Sequence, residues 1–491
     1  MAVTLLGNGP ELHDRIVGRA GAFAEAERAL PGADRVLVEA RRANAFHLAA
    51  IVEFACRRRG GAAEPAPFDP HPVATLAARF DAHVAELSEA ARPRGVEIVV
   101  NDPLLRPAFA HVAARAGAEN EVELLRLLGV VCDTPLVGPE WFVFEVINRC
   151  NARCLYCNIH APSRRPSREF LAETLPFERV AATIDDLAEM GAQGVTILAN
   201  GEPTLHADFG RMASLAKTRG LRVNFFTNGL LLDETRSRMV VDAGVDEMFC
   251  TVSAATRATY AALHAGADGD AWDALLANLR RLFAFRTQAG APRPAAWMVN
   301  VVCSRNRREL PAMAALAADL GFDGLRPQLL RVDEHNRALA LDAGDLAQLR
   351  ADLPALVATC RARGLELWQP YVWQLQHAGE RPDAWSGDVF VEKGCFIGYA
   401  LGLAKANGDL SFCCDVKPVA NLADGRFRDL WRGALYAEAR RAAKQLRPGV
   451  GPRLRDGGTL FTEACRHCDN HDINQRMHQL MDRYEMWGFL G

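Results

Sequence analysis

Between Glu140 and Arg331, apolar strand-like runs alternate with helical stretches, and that alternation restricts the segment to a parallel sheet with crossover helices. The strand candidates are 141–147, 194–199, 222–226, 246–252, 297–303 and 323–330, with helices at 174–190, 207–219, 232–243, 272–287 and 308–320. Six such units make a partial (β/α)6 barrel, a TIM-like arrangement that stops short of closure. In parallel sheets of this kind, reactive groups collect beyond the C-terminal ends of the strands. The residues that follow each strand are therefore where chemistry is to be sought.

The first strand is followed by Cys150, Cys154 and Cys157 at a C-x3-C-x2-C spacing. Three thiolates on one tight loop can hold three irons of a [4Fe–4S] cube and leave the fourth iron open to a small molecule. A zinc knuckle is the competing reading, but zinc takes four ligands, and only His160 stands nearby as a fourth. Of the thirteen cysteines, five more fall within 395–468: Cys395, Cys413, Cys414, Cys465 and Cys468. Short-spaced clusters in a long chain read as metal sites in a reducing compartment rather than as disulfides. Cys56, Cys132, Cys250, Cys303 and Cys360 are scattered and read most simply as buried apolar fillers.

At 491 residues the chain is long enough for several domains. Residues 1–130 read as a separate N-terminal α/β unit with strands near 3–6, 35–38 and 95–100 and a Pro/Ala/Gly-rich loop at 60–72. Its Gly7-Asn8-Gly9-Pro10 turn lacks the third glycine of a dinucleotide fingerprint. Residues 138–335 form the barrel, and 336–390 hold a connecting helix near 342–363. Trp368, Tyr371 and Trp373 follow, an aromatic patch suited either to stacking on a ligand ring or to core packing. Residues 391–491 carry the second cysteine group, a hairpin turn at Asn407-Gly408-Asp409 and an amphipathic helix at 471–491. Net charge of −3 gives no electrostatic case for nucleic acid or an anionic membrane. The apolar run His47–Cys56 is too short to span a bilayer and is broken by Glu53. With no basic start and apolar run of a signal peptide, a cytoplasmic location is expected.

The three-cysteine loop resembles the signature of the radical S-adenosylmethionine (SAM) superfamily. That resemblance implies SAM chelated at the open iron and cleaved reductively to a 5′-deoxyadenosyl radical, with Tyr156 packed near the adenine. Asn200-Gly201-Glu202-Pro203 looks like the family's G-G-E-P element, implying contact with the methionyl amino group through Asn200, Gly201, Glu202 and Pro203. A carboxylate facing an ammonium makes a short charge-assisted bond. Asn200 departs from the family's first glycine. Thr227-Asn228-Gly229 is similar to the family's T-N-G, Ser253 matches the position whose hydroxyl meets the SAM ribose or carboxylate, and Asn306 corresponds to an asparagine near the SAM ribose.

Cys395, Gly408 and Cys413, followed by Cys465-x2-Cys468, resemble the twitch relative of the SPASM auxiliary-cluster domain. That likeness implies a second, fully ligated [4Fe–4S] cluster on Cys395, Cys413, Cys465 and Cys468; Cys414 is the alternative to Cys413, and a four-thiolate zinc site the alternative to the cluster. In the sulfatase-maturing branch an aspartate following this ligand acts as a base; Asp415 is displaced from that register by one position. Some radical SAM methylases carry an N-terminal cobalamin domain, but no D-x-H-x-x-G stands here to ligate cobalt.

What the resemblance implies is hydrogen abstraction from an unactivated C–H bond, ending in oxidation or epimerisation of a sugar, cyclitol or nucleoside, with Cys303 or Cys250 as thiol hydrogen donor if the outcome is epimerisation. Modification of a ribosomally made peptide is the alternative substrate class. A non-catalytic electron-transfer or scaffold protein is the alternative of another kind. Flavodoxin or ferredoxin is the expected reductant, and neither nucleic acid nor membrane is expected as a partner.

Overall fold

The computed structural model describes residues 2–7, 12–13, 22–33, 35–59, 65–117, 119–266, 269–377, 388–415, 417–468 and 471–490. Asn8–Pro10 of the expected N-terminal turn, and 60–64 of the expected loop, lie outside them. The chain divides into two compact units. One comprises Met1–Gly138 with Arg432–Arg441 and Gln475–Gly491; the other comprises Pro139–Trp431 with Ala442–Asn474. This differs from the expected boundaries, because the C-terminal hundred residues are shared between the two units rather than forming a domain of their own.

In the first unit β1 (Ala2–Leu5), β2 (Arg35–Ala40) and β3 (Val96–Val100) make a parallel sheet in the order β1-β2-β3. Helices Leu48–Arg58 and Leu76–Ala91 connect β2 to β3. Phe46, Phe68, Phe80 and Phe109 pack ring against ring in its core, Phe80 meeting Phe109 edge-on at 4.9 Å.

The second unit is built on a ten-stranded sheet. Its centre is the partial barrel: β4 (Trp141–Glu145), β5 (Gly194–Leu198), β6 (Arg222–Thr227), β7 (Glu247–Thr251), β8 (Ala295–Val302) and β9 (Gly324–Leu329), parallel and adjacent in chain order. These strands are almost continuously apolar because helices cover their outer side. Helix Phe177–Glu189 shows the complementary pattern, burying Val180, Thr183, Ile184 and Leu187 along one stripe. Asp233 and Asp342 cap their helices by accepting from the amides of Arg236 and Asp345.

Both edges of the barrel are extended. The short β10 (Glu366–Leu367) pairs in parallel with β9. On the other side β11 (Leu401–Ala404) pairs in parallel with β4, Leu401 beside Trp141 and Ala404 beside Phe144. The hairpin β11–β12 (Asp409–Ser411) turns at Gly408, whose φ of 88° suits glycine, and β13 (Pro418–Asn421) completes the sheet. The cysteine-bearing hairpin is thus a continuation of the barrel sheet.

A buried carboxylate fastens this extension. Asp186, fully buried on helix Phe177–Glu189, accepts from Arg426 at 2.7 Å and from the Arg428 amide at 3.3 Å, and also pairs with the Arg428 guanidinium. Burial alone would push its carboxyl up, but the bonds from Arg426 and Arg428 outweigh it and hold the pKa below the usual value. Among the described residues no helix is long and apolar enough to cross a membrane. Asp186→Asn is expected to lower the urea midpoint of the full chain at pH 7, because it leaves two guanidiniums against a neutral amide. Asp185→Asn, which removes only an exposed partner of Arg219, is the control. Equal midpoints for the two variants would show that Asp186 does not fasten the extension.

Candidate active site

A cleft of about 760 Å³ opens at the C-terminal ends of the barrel strands. Cys150, Cys154 and Cys157 line it. Their loop is pinned from two sides. The Leu155 amide donates to the Leu263 carbonyl at 2.8 Å, and Ala265 donates back to Arg153 at 3.0 Å. On the other side the Glu202 amide donates to the Arg149 carbonyl at 2.8 Å. Gly201 permits that approach, since a Cβ there would lie 1.7 Å from the Arg149 oxygen.

The sulfurs are equipped as thiolate ligands. Ala152 donates its amide to Cys150 Sγ at 3.4 Å, and the amides of Ile159 and His160 donate to Cys157 Sγ at 3.4 and 3.2 Å. Amide bonds of this kind to ligand sulfur are one of the levers by which a protein tunes an iron–sulfur cluster. Burial pushes the free thiols of Cys150 and Cys154 up to about 11 and about 12, with repulsion from Cys157 adding to both. A metal that displaces their protons removes that penalty. This donor set fits a three-thiolate cluster with one open iron.

Glu202 is the junction of the site. Its carboxylate is buried, with Oε1 accepting from Thr204 Oγ1 at 2.6 Å and Thr227 Oγ1 at 2.8 Å, and Oε2 accepting from the Asn228 amide at 2.7 Å. Burial nonetheless pushes its pKa above the ordinary value, against those bonds. The Asn228 side chain continues the chain of contacts to Asn151 Oδ1 at 2.8 Å and Cys150 Sγ at 3.9 Å. Thr227-Asn228 therefore carries Glu202 and the cysteine loop together.

Asn200 explains its own departure from glycine. Its side chain donates to Glu145 Oε2 at 2.8 Å and Asn148 Oδ1 at 3.1 Å, while its carbonyl accepts from His160 Nε2 at 3.0 Å. Glu145 is held in turn by Lys405, just past β11, at 2.9 Å. Tyr156 lines the cleft and its hydroxyl meets His264 Nε2 at 3.2 Å. Pro203 lines the same cleft.

Other expected residues lie elsewhere. Ser253 is fully buried, its Oγ accepting from the Val301 amide at 3.0 Å. Asn306 donates to the Ser253 carbonyl and accepts from the Cys303 amide, both at 2.8 Å. The pair braces the strand ends behind the cleft wall. Cys303 is buried in a cluster with Leu263, Leu330 and Leu339, and burial pushes its thiol up. Cys250 is also fully buried. Of the aromatic patch, Trp368 and Trp373 line the cleft and Tyr371 is core. Sequence reasoning missed His264 and Arg326, both of which line the cleft; the odd polar residue within an apolar strand was the available signal for Arg326.

A second cavity is lined by Cys395, Cys413, Cys414, Cys465 and Cys468. Cys413 and Cys465 are buried, and burial pushes Cys395 and Cys413 up to about 12 and about 11. Lys417, itself buried, donates to Cys465 Sγ at 3.1 Å. Burial works against its charge, but the thiols of Cys413 and Cys465 and the carboxylate of Asp415 outweigh it and raise its pKa. Thiols gathered round a buried ammonium suit an anionic thiolate–metal centre. Asp415 faces this cavity, paired with Lys417 at 3.4 Å and accepting from Thr462 Oγ1 at 2.7 Å. Cys414 lines both this cavity and the main cleft.

A cysteine loop fitted to an open cluster, set at the mouth of a partial barrel, defines a class of radical-generating iron–sulfur enzymes. Residues 144–287, which hold the cysteine loop and four of the six barrel strands in whole or part, match the family described as Radical SAM superfamily, a family that uses a [4Fe–4S] cluster and SAM. The chain is similar to the Fe-coproporphyrin III synthase of Methanosarcina barkeri, 32% identical over 103 residues, 21% of this chain and 24% of that one. It is similar to the AdoMet-dependent heme synthase of the same organism, 25% identical over 64% of this chain and 88% of that one. It is also similar to the PqqA peptide cyclase of Gluconobacter oxydans, 28% identical over 37% of this chain and 47% of that one. The chain thus spans less than half the length of the first and third of these. Among solved structures, SuiB of Streptococcus suis bound to S-adenosylmethionine aligns with 66% of this chain and 72% of its own, at 15% identity and a TM-score of 0.47.

Gly201→Ala is expected to cut 5′-deoxyadenosine formation by roughly a hundredfold, the cost of displacing a catalytic loop by ~1 Å. Gly488→Ala, where a Cβ meets nothing within 4 Å, is the control. Undiminished formation in Gly201→Ala would show that the contact with Arg149 is dispensable.

Proposed function

We propose that this radical SAM enzyme modifies a peptide, abstracting a hydrogen atom from an unactivated C–H bond and passing the substrate electron toward a second iron–sulfur centre. The observation that carries the reading is the pair of adjoining cavities, one lined by Cys150, Cys154 and Cys157 and the other by Cys395, Cys413, Cys465 and Cys468, with Cys414 and Arg331 in the wall of both. When bound, a [4Fe–4S] cluster and SAM supply the 5′-deoxyadenosyl radical that removes the hydrogen. Cys150, Cys154 and Cys157 would hold that cluster, and the Asn200–Pro203 segment would position the methionyl end of SAM. Tyr156 would close the adenine side. Ser253 and Asn306 act through the strand ends they brace.

Cys395, Cys413, Cys465 and Cys468 would hold the second cluster, in a twitch-like arrangement. The burial of Cys413 beside Cys465 and Lys417 favours it over Cys414 as the ligand. Asp415 would hold the Lys417 ammonium against these sulfurs. A flavodoxin or ferredoxin would supply the reducing electron.

The peptide cyclase relative supports the peptide reading over the sugar, cyclitol or nucleoside first expected. A tetrapyrrole is the second reading, favoured by the heme synthase, which is matched over the longest stretch of the three relatives.

Two clusters of four correspond to about eight irons per chain. The triple variant Cys150→Ala, Cys154→Ala, Cys157→Ala is expected to retain about four irons and form no 5′-deoxyadenosine with SAM and dithionite. Complete loss of iron would contradict independent centres. Undiminished SAM cleavage would contradict the assignment of the first site.

A further inference from the structure

The cleft contains buried hydrogen-bond donors that the cluster and SAM assignments leave unused. Arg326 projects from β9 into it. Its guanidinium lies over Phe226 at 5.2 Å, Phe249 at 4.8 Å and Trp368 at 4.2 Å. Phe226 and Phe249 are themselves stacked at 4.6 Å, so the arginine caps an aromatic floor. Arg326 Nε is buried without a hydrogen-bond partner among the described residues. Burial draws its pKa down to about 10, with the charges of Asp472, which lines the same cleft, and of Glu247 acting against it. Of the other carboxylates that line the cleft, Asp333 is paired with Arg164, and Glu202 accepts from Thr204, Thr227 and the Asn228 amide.

Gln374 adds a second unused donor. It is 3% exposed and lines the same cleft, and its Oε1 accepts from the Leu329 amide at 3.3 Å. Its Nε2, however, has no partner among the described residues. A buried guanidinium Nε–H and a buried amide N–H without acceptors are costly in an apolar setting, and both call for a group that only accepts. Rings stacked on a guanidinium hold its plane and leave its in-plane donors available to an acceptor.

We propose that Arg326 and Gln374 form the substrate-recognition subsite of this cleft, and that they bind a carboxylate carried by the substrate. The inference rests on the reading of the cleft as the radical SAM substrate site and adds the chemical class of what enters it. A carboxylate accepts from both donors at once, and Arg offers it a planar fork. The carboxylate could be that of a peptide side chain or that of a tetrapyrrole. Either source satisfies the same two donors.

The test uses the anaerobically reconstituted full chain with SAM, in equilibrium dialysis. One arm compares an acetylated, amidated, randomised short-peptide pool bearing one fixed glutamate with the same pool bearing glutamine. The other arm compares heme with heme dimethyl ester. At least one acid form is expected to bind about tenfold or more tighter than its neutral twin. That preference should vanish in Arg326→Met, weaken in Gln374→Leu and survive in part in Arg326→Lys, with iron content and circular dichroism matched across the variants. The arm that shows the preference identifies the source of the carboxylate. No preference in either arm, or a preference that persists in Arg326→Met, overturns the subsite. Failure of the underlying reading would appear separately, as absence of 5′-deoxyadenosine with SAM and dithionite alone.

Discussion

The site depends on a buried carboxylate that is fully engaged. Glu202 leaves the end of β5, and its oxygens accept from Thr204, Thr227 and the Asn228 amide. Desolvating a carboxylate is expensive unless hydrogen bonds replace the lost water, and here several do. The same residue donates its amide to Arg149, one position before the first cysteine. Two strand ends and the cysteine loop are therefore set by one side chain and one backbone bond. Gly201 is the condition for both, because any side chain there would displace the Arg149 carbonyl.

A second set of contacts ties the barrel to the cysteine-bearing hairpin. Lys405 reaches Glu145 at the end of β4, and Glu145 also holds Asn200. The hairpin that carries Cys413 is thereby in register with the strand that leads to Cys150, through parallel pairing of β11 with β4. Lys417 places a positive charge among the sulfurs of the second cavity. Such a charge favours the more negative, reduced state of a cluster bound there. That is the polarity an electron acceptor requires.

Much of this was legible in the sequence because it is local. The strands of the barrel are mostly apolar runs, and their observed bounds fall within about two residues of those read from pattern alone. The cysteine spacings and the glycine at 408 are equally local signals. What sequence did not reveal depends on pairing between distant segments. The addition of β11 to β4 joins residues separated by most of the barrel, and no periodicity encodes it. Ser253 and Asn306 have the residue types expected beside SAM, and they also bond to Val301, Cys303 and each other, with Ser253 in addition meeting the Tyr156 hydroxyl. Hydroxyl and amide groups serve equally well to brace a strand end, so type alone does not distinguish the roles. Arg326 between Leu325 and Pro327 is an odd polar residue inside a strand, but only the three-dimensional arrangement shows the rings beneath it.

The most direct test of the account is electron–nuclear double resonance on the reduced full chain mixed with SAM labelled with 15N at its amino group. If Cys150, Cys154 and Cys157 hold a cluster with one open iron, the label will show hyperfine coupling to the reduced cluster. An intact reduced cluster whose spectrum is indifferent to SAM and shows no 15N coupling would contradict the account and favour a simple electron carrier.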